Sequence, residues 1–112
     1  MHELSVAQSM MELVLEKAAL NRAERVKRID VTVGNLSGVV ADSLLFCFDA
    51  IKAGTIAGGA ELAIEEVSAT AHCPACGADF TVGPYEFFCG KCGGPITPVG
   101  GDELFVRSIE VE

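Results

Sequence analysis

Cys73-Pro74-Ala75-Cys76, twelve residues from Gly77 to Phe88, then Cys89-Gly90-Lys91-Cys92-Gly93-Gly94: this stretch decides how the rest of the chain is read. Two Cys-x-x-Cys pairs at such a separation are the pattern of a tetrahedral four-thiolate site, each pair spanning one edge of the tetrahedron from a tight turn. Gly77, Gly90 and Gly93 are expected to supply the positive φ that such turns need. The surrounding segment, Thr70–Gly101, is rich in Gly, Pro and Cys and carries no helical or long strand periodicity. Phe80–Phe88, broken by Gly83-Pro84, is expected to form short strands of a ribbon. A segment this short lies below the ~40 residues at which isolated units sustain a core. Metal binding would supply the missing folding free energy, on the order of 10 kcal/mol in comparable peptides.

The segment interrupts a chain that otherwise reads as α+β. Leu4, Ala7, Met11, Val14, Leu15 and Ala18 recur at helical spacing, with Glu12, Glu16 and Lys17 off the stripe. Ser5 and Gln8 resemble a capping box at the helix start, and Asn21 marks its end. Ile29, Val31 and Val33 alternate with Arg28, Asp30 and Thr32, the pattern of a half-buried strand. Gly34 and Ser37-Gly38 punctuate the loop that follows. A second helix, capped by Asp42 or Ser43, carries the stripe Leu44, Leu45, Phe48 and Ile51 and stops at Gly54. Cys47 lies inside it as a small buried hydrophobe. Strands over Ala60–Val67 and Leu104–Val111 complete the order α-β-α-β-(insert)-β. The expected fold is two helices on a small three-stranded sheet with an inserted four-cysteine zinc-ribbon subdomain. Residues 1–69 with 102–112 would form the α/β domain, and 70–101 the ribbon.

Composition narrows the function classes. Half of the 112 residues are hydrophobic and 21% are charged, enough to build a core. Sixteen acids against eight bases leave a formal charge of −8, which disfavours nucleic acids and anionic membranes as partners. No apolar run approaches the ~20 residues that span a bilayer, and the N-terminus lacks a signal-peptide profile. A cytoplasmic location is expected, where paired cysteines bind metal rather than form disulfides.

Three readings of the ribbon compete. A nucleic-acid-binding ribbon needs clustered bases, but Lys91 stands alone across Thr70–Gly101 against Asp79 and Glu86. A rubredoxin-like iron site shares the four thiolates. It leaves the α/β portion and the N-terminus without a task. A closed four-cysteine zinc site, with no open position for substrate, is structural and is preferred. His72 adjoins Cys73 but is surplus to this set. No Ser-His-Asp arrangement or phosphate-binding loop can be argued; Gly54–Ala60 lacks the Lys-Ser/Thr of such a loop. Glu61, Glu65 and Glu66 read as a solvated strand face. No catalytic site is found, and an enzyme is not expected.

The remaining signal is Met1-His2-Glu3. A histidine in second position lets the α-amine, the His2 amide nitrogen and the His2 ring close adjacent chelate rings around one ion. Glu3 adds a fourth donor, through its amide nitrogen or its carboxylate. Nitrogen-rich tetragonal coordination suits Ni(II) or Cu(II) better than Zn(II). The positive end of the first helix opposes a cation there, so affinity is expected to be moderate.

Taken together, Met1-His2-Glu3-Leu4-Ser5, the segment Val33-Gly34-Asn35-Leu36-Ser37-Gly38, the two knuckles and the final strand resemble the HypA/HybF nickel metallochaperones of nickel–iron hydrogenase maturation. The resemblance covers essentially the whole chain. It implies that His2 is the principal nickel ligand, completed by the Met1 amine and by Glu3. It implies that Cys73, Cys76, Cys89 and Cys92 hold structural zinc. It also implies work with a HypB-type GTPase and delivery to the hydrogenase large-subunit precursor. In some relatives the same carrier supplies urease, which adds urease maturation factors as partners. The implied chemistry is ligand exchange; binding needs a neutral imidazole, so acid releases the ion. The rival from another class is a zinc- or iron-ribbon adaptor that only binds proteins.

Overall fold

The computed structural model describes residues 2–112. Helix α1 spans His2–Leu20, strand β1 Val26–Gly34, helix α2 Ala41–Ile51 and strand β2 Glu61–Val67. Strands β3 (Ala69–His72), β4 (Asp79–Val82) and β5 (Leu104–Val111) follow. A three-stranded sheet has the order β2-β1-β5, with β1 parallel to β2 and antiparallel to β5. Helix α2 is the crossover that a parallel β1–β2 pair requires. Strands β3 and β4 form a separate antiparallel pair. The α+β architecture is as expected.

Two apolar clusters form. The first joins Ala7, Met10, Met11, Val14 and Ala18 of α1 to Leu44, Cys47 and Phe48 of α2, over Ile29, Val31 and Val33 of β1. Cys47 is packed here as a small hydrophobe. The second holds Ala69, Ala71, Cys73, Val82, Cys89 and Ile96, with Leu36 packed against it. Lying end to end, they give a body of 55 × 26 × 16 Å. Its radius of gyration of 17.6 Å exceeds the roughly 13 Å of a spherical domain of this length.

Several local expectations are corrected. Helix α1 is already formed at His2, so Ser5 lies inside it and caps nothing. Its buried stripe is Glu3, Ala7, Met10, Met11, Val14 and Ala18, while Leu4 is exposed. Helix α2 begins after Val40, which has no side chain suited to capping; Asp42 lies in its first turn. It ends at Ile51 on Lys52, whose N–H donates to the Phe48 carbonyl, and Gly54 lies beyond the stop. The positive φ of the knuckles occurs at Gly77 and Gly93 but not at Gly90. The ribbon's first strand, β3, precedes the cysteines; Phe88 contributes one bridge to Pro95 rather than a strand.

Strand β1 is not half-buried either: Asp30 and Thr32 are buried along with the apolar residues between them. As the central strand, it is flanked on both sides. Asp30 is held by Arg28 Nε at 3.0 Å and by the Ser108 hydroxyl, which donates to Oδ2 at 3.0 Å. Glu61, Glu65 and Glu66 are exposed, as expected of a solvated strand face, and Glu61 and Glu65 pair there with Arg28 and Arg107. The Arg28 hydrogen bond is the main force holding the Asp30 carboxyl below its usual range, against an opposing effect of burial. A depressed folded-state pKa stabilises the fold above the unfolded value of about 3.9 and is lost as pH falls through the folded one. Asp30→Asn is therefore expected to be less stable at pH 7. Its thermal midpoint should also fall less steeply below about pH 4, as read by circular dichroism.

Candidate metal centres

The two knuckles are built alike. In the first, Cys73 N–H donates to Ala78 O (2.8 Å) and Gly77 N–H to Cys73 O (2.7 Å). In the second, Cys89 N–H donates to Gly94 O (2.7 Å) and Gly93 N–H to Cys89 O (2.8 Å). Each turn closes at a glycine of positive φ, Gly77 at 77° and Gly93 at 74°. Cys73 and Cys89 point into the ribbon core, whereas Cys76 and Cys92 are exposed. All four sulfurs lie within 4.8 Å of one another. The separations Cys73–Cys92, 3.5 Å, and Cys76–Cys89, 3.7 Å, are close to the tetrahedral edge of about 3.8 Å implied by metal–sulfur bonds of about 2.3 Å.

The electrostatics of the cluster call for a cation. Backbone N–H groups of Cys92 and Lys91 lower the Cys89 thiol to about 6, and the Cys76 backbone pulls Cys73 down as well. Gly94 N–H works the same way on Cys92, yet the surrounding sulfurs override it and push Cys92 up to about 12. Four thiolates cannot all carry charge so close together unless a positive ion sits among them. The donor set fits a tetrahedral divalent metal. His72 stays outside, its Nδ1 2.7 Å from the Asp79 carboxylate.

The first turn of α1 brings His2 and Glu3 together. Glu3 lies on the buried face, and its Oε2 accepts from Val40 N–H at 3.4 Å, where α2 begins. The α2 N-terminus, lacking a side-chain cap of its own, is thus met by a carboxylate from α1. The His2 ring is more than half exposed, with Nε2 3.3 Å from Glu3 Oε2 and 2.7 Å from the Gly38 carbonyl oxygen. The expected role of the Met1 amine falls outside the described residues.

The loop between β1 and α2, for which the sequence suggested no task, links the ribbon to the His2–Glu3 contact. Asn35 Nδ2 donates to Val82 O (2.7 Å), and its Oδ1 accepts from Ala69 N–H (2.9 Å). Leu36 N–H donates to Gly101 O (2.6 Å). Asn35 and Leu36 therefore grip the ribbon two residues before Gly38 meets His2. The motif containing them was visible in the sequence, but the side-chain partners are separated too far along the chain to be inferred from spacing.

A family model described as hydrogenase/urease nickel incorporation, metallochaperone, hypA, matches residues 1–111. The chain belongs to the HypA family. It is 44% identical to the hydrogenase maturation factor HypA of Chlorobaculum tepidum, over 100% of both chains. It is 40% identical to the HypA of Azotobacter chroococcum, again over 100% of both. The solution structure of the Ni metallochaperone HypA from Helicobacter pylori aligns with a TM-score of 0.67 at 25% identity, covering 99% of this chain and 97% of that one. Another HypA solution structure gives 0.69 at 25% identity, covering 100% and 97%. HypA membership agrees with the α+β fold and the clustered cysteines found here.

Asn35→Ala is expected to destabilise the junction by about 1–3 kcal/mol, since it leaves the Ala69 N–H and Val82 carbonyl without their partner. Hydrogen exchange should quicken at Ala69 and along β4 while α1 keeps its protection.

Proposed function

We propose that this chain is a nickel carrier: it binds Ni(II) at Met1, His2 and Glu3 and releases it by ligand exchange rather than catalysing a reaction. The observation that carries this reading is the division of donors. One set is a closed cluster of four sulfurs. The other is an exposed imidazole in the first turn of α1. First-turn amides have no upstream carbonyl to serve, so the His2 and Glu3 nitrogens can lose their protons to a metal without breaking the helix ladder. Deprotonation also offsets the positive helix end. Because the Glu3 carboxylate is engaged with Val40, we infer that Glu3 offers nickel its amide nitrogen.

Cys73, Cys76, Cys89 and Cys92 would hold zinc, which supplies folding free energy to the ribbon and no open coordination position. The family description, hydrogenase/urease nickel incorporation, supports such a destination for the cargo. We assign a HypB-type GTPase as the working partner and the hydrogenase large-subunit precursor as recipient, with urease maturation factors as an alternative route. Reduced thiols suit a cytoplasmic location. Among the described residues no helix is long and apolar enough to cross a membrane.

Calorimetric titration of untagged protein with Ni(II) is expected to show one site, lost in His2→Ala with zinc content and fold unchanged. An unaltered nickel affinity in that variant refutes the assignment. A protein that purifies coloured, with one iron and no nickel uptake, supports the redox ribbon instead. Cys73→Ser with Cys76→Ser is expected to lose zinc and to unfold mainly the ribbon. Uniform loss of hydrogen-exchange protection across α1 and β1 would contradict that independence.

A further inference from the structure

The contact between His2 and Gly38 carries chemical information beyond the ligand set. A carbonyl oxygen has no proton to give, so across the 2.7 Å contact the imidazole must be the donor. Nε2 then carries the hydrogen, and in the neutral ring Nδ1 keeps its lone pair. Glu3 Oε2, 3.3 Å from the same Nε2, is a second acceptor and favours the same tautomer. Nδ1 is also the nitrogen that geometry demands for chelation. The metal, the His2 amide nitrogen, Cα, Cβ, Cγ and Nδ1 close into one small ring, whereas Nε2 on the far edge of the imidazole cannot reach that position.

We propose that Gly38 is a positioning residue for nickel capture: its backbone carbonyl holds the His2 ring by Nε2–H and so presents Nδ1 as the metal donor. This rests on the nickel reading above and deepens it. The loop is built to keep that carbonyl in place. Gly38 has φ +80°, a left-handed conformation that costs a β-branched residue dearly. A Cβ added there would meet Nε2 only at ordinary contact distance, 3.8 Å, so backbone conformation is the constraint, not space. On one side Ser37 N–H donates to Gly34 O at 3.0 Å, and the Ser37 hydroxyl accepts from Val39 N–H at 3.2 Å. On the other, Val40 N–H is tied to Glu3. A hydrogen-bond partner of this kind on a ligating histidine is typically worth about 10–100-fold in metal affinity.

The test uses the untagged full-length chain and Ni(II) sulfate. In the metal-free wild type, nitrogen-15 NMR of the imidazole is expected to show a single Nε2–H tautomer with a slowly exchanging ring proton. Gly38→Val, which abandons the left-handed conformation, should average the ring signals and weaken nickel binding about 10–100-fold, with zinc content unchanged. Gly38→Asn, which tolerates that conformation, should restore both. Wild-type nickel affinity in Gly38→Val, failure of Gly38→Asn to restore binding, or a rapidly averaged or Nδ1-protonated ring in the metal-free wild type overturns the proposal. Absence of nickel uptake by a wild type whose ring is locked overturns the nickel reading, and with it any part for Gly38 in capture, leaving a purely structural contact.

Discussion

Gly34, at the end of the central strand, has to be a glycine because the Gly101 carbonyl oxygen lies 2.1 Å from where its Cβ would stand. That close approach lets Gly34 N–H donate to Glu103 O, Asn35 N–H to Val67 O and Leu36 N–H to Gly101 O within three consecutive residues. Both ends of the ribbon segment are thereby gathered onto one turn of chain. The same turn runs on to Gly38 and Val40, where it meets His2 and Glu3. Sheet, ribbon and α1 N-terminus therefore share a single junction, and a side chain at Gly34 would disturb all three.

The two centres differ in how the backbone serves them. In the knuckles, amide groups of Lys91 and Gly94 approach Cys89 and Cys92 sulfurs at 3.4 Å; they favour the thiolate at Cys89, while at Cys92 the neighbouring sulfurs outweigh them. Two of the four sulfurs, Cys73 and Cys89, face the core. At the N-terminus the helix turns its positive end to the donors, and the His2 ring is solvent-accessible. On the proposed function, the first environment would favour retention of an ion and the second its release, from the same ordinary backbone groups.

Much of this was legible from the residues alone. The cysteine spacing forecast the cluster because each knuckle is local, and the strong periodicity of Ala7 to Ala18 and of Ile29 to Val33 placed α1 and β1. The errors have a common origin in long-range partners. Asp30 looked like the solvent side of a strand because it alternates with Ile29 and Val31, but in the fold it is buried and accepts from Ser108, far along the chain. For Glu3 the sequence left amide nitrogen and carboxylate both open as donors, because nothing local marks Val40 as the carboxylate's partner. Leu4 fitted the helical stripe by hydrophobicity, yet the stripe is set by α2, which selects the face carrying Glu3. Asn35 shows no propensity signal for a role it performs through residues on two different strands.

The order of elements has a consequence for biogenesis. Strand β1 pairs with β5 in a register that joins Val26 to Val111, so the sheet cannot close until β5 has been made. The ribbon cysteines precede β5 and interact over short sequence distances. A chain leaving the ribosome can thus gather its four sulfurs while the central strand has β2 but not yet β5 beside it, and that early local closure shortens the loop whose closure limits the slow, non-local final pairing.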